Sequence, residues 1–137
     1  MLKAIVSSDP NDRVRKSAIQ GIASSTDSEA IEILVTTAKS DRTASMRSEA
    51  IRALARKGGP KAVAAIRTAI DSDPEREVRR NAVSALKSLP DGEGIPLLIQ
   101  VAKSHADAEV RKQAMSALGQ SRDPRAAAYF EDVLRAR

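Results

Sequence analysis

Apolar and polar positions recur along this chain with a period of 32 residues. Val14, Met46, Val78 and Val110 open four related stretches, and each is followed by an arginine: Arg15, Arg47, Arg79 and Arg111. Ala18, Ala50, Ala82 and Ala114 come in step, then Ile22, Leu54, Leu86 and Leu118, with no insertion or deletion between copies. In the first copy Val14, Ala18, Gly21, Ile22 and Ser25 fall on one face at 3.6 residues per turn, so each copy is predicted to be an amphipathic helix. Alanine or glycine at 18 and 21, and at their equivalents, lets neighbouring backbones come close where larger side chains would overpack.

A second helical pattern lies between the copies. It runs through Ala30, Ile31, Leu34, Val35 and Ala38, then Ala62, Val63, Ile66 and Ile70, then Ile95, Leu98, Ile99 and Ala102. Leu2 and Phe130 occupy matching positions, which predicts five first helices around four helices that carry the Val-Arg pair. The punctuation agrees. Asp27, Gly59 and Asp123 stand at N-cap positions, with Pro60 and Pro124 in the first turn, where a missing N–H costs nothing. Asp9-Pro10 and Asp73-Pro74 are expected to start Val-Arg helices in the same way, and Gly58-Gly59 reads as a helix stop. Pro96 requires its helix to start late, near Gly94. Tandem helix pairs bury their stripes on their neighbours, so the fold class is all-α: an α-solenoid of about four 32-residue pairs plus an extra terminal helix.

The stretch DPEREVRRNAVSAL from Asp73, with looser forms from Asp9, Asp41 and His105, resembles the HEAT repeat, most of all the short bacterial HEAT-like repeats also found in phycobilisome lyases. The resemblance covers residues 1–137 as a single domain, read as a segment of a longer protein. It implies that the first helices lie on the convex side and the Val-Arg helices on the concave side. It also implies an Asp–Arg ladder between adjacent repeats, carried here by Asp9 with Arg15, Asp41 with Arg47 and Asp73 with Arg79. His105 replaces the aspartate of the last copy and puts the rung at Arg111 in doubt. An exposed pair of this kind is worth about 0–1 kcal/mol, so the ladder is expected to set register more than stability.

Composition narrows the chemistry. There is no cysteine and one histidine, His105, at a turn; the bland reading, a solvated turn residue, outweighs the metal-ligand one. HEAT-repeat hydroxylases use paired His-Glu motifs and HEAT-like glycosylases use tryptophans, and this chain has neither a second histidine nor a tryptophan. With no phosphate loop, dinucleotide fingerprint or nucleophile elbow, neither enzyme activity nor a cofactor is expected. No apolar run is long enough for a membrane span.

The formal net charge is +5. Positions opposite the apolar stripe of the Val-Arg helices are Arg13, Lys16, Ser17, Gln20, Ala23 and Ser24 and their equivalents 32, 64 and 96 residues on. They include seven basic residues (Arg13, Lys16, Arg52, Arg56, Arg80, Lys87 and Lys112) against Glu49, Glu77 and Glu109, so this face carries +4 of the total. The expected function is a non-catalytic scaffold that binds an acidic protein partner on that face. The alternatives are nucleic acid or another polyanion, and an accessory subunit of a pigment lyase. Tyr129, Phe130, Val133 and Leu134 form an apolar stripe that no further Val-Arg helix follows, which leaves self-association through the last helix open.

Overall fold

A computed structural model describes residues 2–136. The first helices are α1 (Leu2–Ser8), α3 (Ser28–Ser40), α5 (Pro60–Ser72), α7 (Ile95–Ser104) and α9 (Pro124–Arg135); the Val-Arg helices are α2 (Asp12–Ala23), α4 (Ala44–Lys57), α6 (Arg76–Ala85) and α8 (Ala108–Gly119). No strand occurs among the described residues. Two 3-10 turns, Leu86–Ser88 and Pro90–Gly92, separate α6 from α7.

Local chemistry accounts for most boundaries. Asp27 and Asp123 cap α3 and α9 by accepting from the backbone N–H groups of Glu29 and Arg125, and Pro60 and Pro124 open α5 and α9. Gly58 and Gly59, at φ 75° and 94°, make the reversal between α4 and α5 in a region that β-carbons disfavour. The expectation for Asp9 and Asp73 is corrected: the N-caps of α2 and α6 are Asn11 and Glu75. Each aspartate sits two residues earlier, where its Oδ1 accepts from the N-cap residue's own N–H, so the Asp-Pro bend closes the preceding connection and the helix starts after it.

The helices form two layers. Consecutive Val-Arg helices pack side by side, and each also packs on the first helix of its own repeat. Ala18, Ala50, Ala82 and Ala114 are buried, as are Ile22, Leu54, Leu86 and Leu118, and Leu34, Ile66 and Leu98 are buried in the other layer. The single stripe expected from periodicity is incomplete. Ile19, Ile51 and Val83 are fully buried as well, because a helix inside a stack covers one face on the repeat before it and another on the repeat after it. Burying each such side chain is worth roughly 1.5–3 kcal/mol. Conversely Val14 is 41% exposed and Gly21 is exposed, although Met46, Val78, Val110 and the alanines at 53, 85 and 117 are buried. Among the described residues no Val-Arg helix precedes α2 to cover that face. At the other end Tyr129 is buried, Phe130 and Val133 are half-buried and Leu134 is 65% exposed, so the expected C-terminal stripe is open mainly at Leu134.

The third repeat departs from the others. Its Val-Arg helix ends at Ala85, and α7 starts at Ile95 with Pro96 as its second residue, the late start that proline demands. The two 3-10 turns fill the interval, and α5 and α7 barely touch. Arg125, at the start of α9, anchors these turns by donating from Nη2 to the Gly92 carbonyl (3.0 Å) and to Asp123 Oδ2 (2.8 Å). Hydrogen bonds from the Arg125 side chain and backbone hold the Asp123 carboxyl down to about 2 from its ordinary 3.8. A carboxyl lowered on folding contributes stability that is present above its unfolded value and is lost as pH falls toward 2. Carbon-detected NMR titration should therefore find the Asp123 midpoint near 2, and Arg125→Ala, which removes the side-chain bonds and keeps the backbone one, should raise it most of the way toward its ordinary value. A midpoint that ignores the substitution would remove Arg125 as the cause.

Candidate partner-binding face

The repeating arginines build the frame on which this face rests. Arg47 donates Nη1 to the carbonyl of Asp41, Arg79 to that of Asp73 and Arg111 to that of His105, at 2.8, 2.7 and 2.6 Å. These carbonyls belong to the C-caps of α3, α5 and α7, so each cation sits at the negative end of a helix. The carboxylate partner lies elsewhere. Arg15 Nη2 pairs with Asp41, and Arg47 pairs with Asp73 through Nε to Oδ2 (2.9 Å) and Nη2 to Oδ1 (3.3 Å).

The ladder does run between adjacent repeats, but the pairing of Asp9 with Arg15, Asp41 with Arg47 and Asp73 with Arg79 is corrected: each side-chain rung reaches one repeat forward, from Arg15 to Asp41 and from Arg47 to Asp73. Oδ1 of each aspartate accepts from the N–H two residues on, Oδ2 takes the arginine of the preceding repeat, and at Asp73 the Oδ1 is shared with Arg47 Nη2 as well. Asp9 pairs with no arginine among the described residues. The replacement at His105 therefore falls on the rung of Arg79, not on that of Arg111.

Nor are the rungs exposed. The side chain of Arg15 is 0% accessible and that of Asp41 6%, so the small contribution of a surface pair does not apply. Burial opposes the charge on Arg15, but hydrogen bonding and attraction from Asp41, with Asp12 adding to both, outweigh it and hold the guanidinium above its ordinary value. His105 itself is half-buried. Its Nδ1 accepts from the Asp107 N–H (3.1 Å), reproducing the aspartate's work in the turn, and its Nε2 faces Asp71 at 3.4 Å.

Across the outer side of α2, α4, α6 and α8 the expected basic residues do come together. Arg13, Arg52, Arg56, Arg80, Lys87 and Lys112 are exposed with Gln20, and Lys16 is half-buried. Arg52 pairs with Glu49 (3.0 Å), and Lys87 donates to Gln120 (2.6 Å). Among the described residues Arg13, Lys16, Arg56, Arg80 and Lys112 have no carboxylate within ion-pair distance.

Part of the expected surface belongs instead to the seams between helices. Ser48 and Ala55 are buried. Asn81 donates to Ser48 Oγ (3.1 Å), and Gln113 donates to Ser84 Oγ (2.9 Å) and to the Arg80 carbonyl (2.8 Å), which ties α4 to α6 and α6 to α8. Helical periodicity assigns these positions outward because it treats each helix as having one neighbour. The opposite layer has a groove of about 620 Å³ between α3 and α5, lined by Val35, Ala38, Ala65 and Ala69, with Lys61 and Glu32 paired across it.

No group of three or more His, Cys, Asp or Glu positioned to hold a metal occurs among the described residues, and no helix there is long and apolar enough to cross a membrane. Stacked two-helix repeats with a buried polar ladder define an α-solenoid. The chain belongs to the HEAT repeat family: the family profile matches residues 1–87 and 66–137. HEAT repeats generally mediate protein–protein interaction. Among curated proteins no relative matches the chain.

Proposed function

We propose that this protein is a non-catalytic scaffold that holds an acidic protein segment against the face formed by α2, α4, α6 and α8. The observation that carries this reading is the set of six cations on that face, Arg13, Lys16, Arg56, Arg80, Lys87 and Lys112, left without carboxylate partners among the described residues. On the first-helix layer Lys3 with Glu29, Lys61 with Glu32 and Arg67 with Asp71 are matched, and Lys39 and Lys103 are the cations of those helices without a carboxylate among the described residues. Unmatched charge on one face steers an oppositely charged partner and lowers the cost of docking it.

Every pair of neighbouring Val-Arg helices packs closely whereas α5 and α7 part, which supports reading this layer as the inner face of the curve. Tyr129 and Phe130, the chain's aromatic residues, both lie on α9, so the face has no platform on which bases could stack, which favours a protein over a nucleic acid. Leu134 leaves the last helix open to a second copy, which sedimentation at two concentrations would reveal.

Reversing Arg13, Arg52 and Arg56 to glutamate should weaken binding of an acidic peptide at least about tenfold, a loss of roughly 1.4 kcal/mol, and leave the melting midpoint near that of the wild type, because all three are exposed. Unchanged affinity would move the site off this face. Tighter binding of duplex DNA than of peptide, falling steeply with salt, would replace the protein reading with a polyanion one.

A further inference from the structure

The ladder has a vacancy. Arg15 and Arg47 each reach a carboxylate one repeat forward, at positions 41 and 73, and the equivalent position for Arg79 is 105, where the imidazole of His105 is occupied by Asp107 and Asp71. Among the described residues Arg79 has the Asp73 carbonyl as its hydrogen-bond partner and no carboxylate. In Arg47 the same fork places Nε and Nη2 on the two oxygens of Asp73, so the Nε and Nη2 edge of Arg79 is the part without a partner. Arg79 is half-buried, and no side-chain nitrogen there is sealed from water unpaired.

Arg79 also lines a groove of about 250 Å³ between α6 and α8, together with Arg76, Arg80 and Lys112. A second feature points the same way. Asn11, Thr43 and Asp107 cap α2, α4 and α8 with side-chain bonds, whereas Glu75 makes none to α6, leaving the positive end of that helix open beside the same arginines. Two acids also line the groove, but both are committed: Asp107 accepts from the Glu109 N–H, and Glu109 pairs with Arg76 at 3.7 Å.

Resting on the reading of an acidic protein partner, we propose that this groove is the specificity pocket of the face. It takes one carboxylate side chain of the partner, which seats on Arg79 and completes the third rung in place of the missing aspartate. A carboxylate rather than a bare negative potential is assigned because the sibling rung at Arg47 binds one through two parallel hydrogen bonds, the geometry for which a guanidinium fork is pre-organised.

The test uses the full chain and a fluorescent eight-residue glutamate peptide, read by anisotropy. His105→Asp supplies the missing carboxylate internally, and affinity should fall at least about tenfold, roughly 1.4 kcal/mol. His105→Asn keeps an acceptor for Asp107 without charge, and Thr68→Asp puts the same charge on the exposed far layer; both should bind within about twofold of wild type, under roughly 0.5 kcal/mol. Arg79→Gln, which removes the fork without touching position 105, should reproduce the loss, so a poorly folded His105→Asp would not end the test.

Equal weakening in His105→Asp and Thr68→Asp would overturn the pocket, as would full affinity in Arg79→Gln. If the reversal of Arg13, Arg52 and Arg56 abolishes binding while these variants retain it, the basic face stands and the pocket falls. Loss in His105→Asp with no effect of the triple reversal confines recognition to the pocket. Duplex DNA lost on His105→Asp while the peptide is not would assign the groove to phosphate and overturn the carboxylate.

Discussion

Asp41→Asn is expected to lower the melting midpoint by about 10 °C, a loss of roughly 3 kcal/mol. The substitution is chosen to separate the two functions of that side chain. Asparagine keeps an oxygen for the Thr43 N–H, which Asp41 Oδ1 accepts at 2.9 Å, so the turn into α4 survives. What disappears is the charge facing Arg15, a fully buried guanidinium. Asp12 (3.1 Å) and the Val6 carbonyl (2.8 Å) still hold that cation, but Asp12 is half-exposed and screened, so most of the buried compensation comes from Asp41. Asp9→Asn is the matched control. It makes the same chemical change at the same place in the repeat, where no arginine of the described residues pairs with the carboxylate and Arg42 bonds the backbone carbonyl alone, and should move the midpoint by about 1 °C or less. Calorimetry on the two variants decides between the forward rung and an in-repeat one: equal losses would restore the pairing of Asp9 with Arg15.

Gly94→Ala should destabilise by about 3 kcal/mol, against what the repeat itself recommends. The equivalent positions are Ala30, Ala62 and Ala126, all buried, so a consensus argument would install alanine and anticipate a gain from reduced unfolded-state entropy. The backbone of Gly94, at φ −80°, would accept alanine without strain. The obstacle is space: a β-carbon there would lie 1.9 Å from the Leu86 carbonyl oxygen and 2.7 Å from its carbon. Both are backbone atoms held in the 3-10 turn that follows α6, so relief requires moving the turn, with Leu89 buried behind it. Urea unfolding of this variant beside the wild type would measure the loss, and a midpoint equal to or above wild type would mean that the third repeat can relax to the geometry of its siblings.

Much of this architecture was legible beforehand because repetition supplies its own check. Four copies of Val-Arg followed by alanine and leucine at constant spacing identify helix pairs, and Asp27, Gly59, Asp123 and Pro96 mark boundaries through local chemistry that acts within a few residues. The basic residues of the candidate face were legible for the same reason, since position on a helix determines outwardness where one side alone is covered. Ser48, Ala55 and Val14 escaped that logic, each because of what a neighbouring repeat covers or leaves uncovered.

The sequence by itself thus determined the period, the helix pairs, the all-α class and the concentration of positive charge on one layer, because these follow from side-chain spacing and capping along a single helix. Only the tertiary structure decided which carboxylate meets which arginine, why Gly94 must be glycine and where a rung is missing. Those outcomes depend on distances between residues 8 to 26 positions apart, such as Leu86 to Gly94 and Arg47 to Asp73, which no local periodicity encodes. His105 shows the division most clearly: read along the chain it weakens the rung of its own repeat, and in three dimensions it vacates that of the repeat before, beside Arg79.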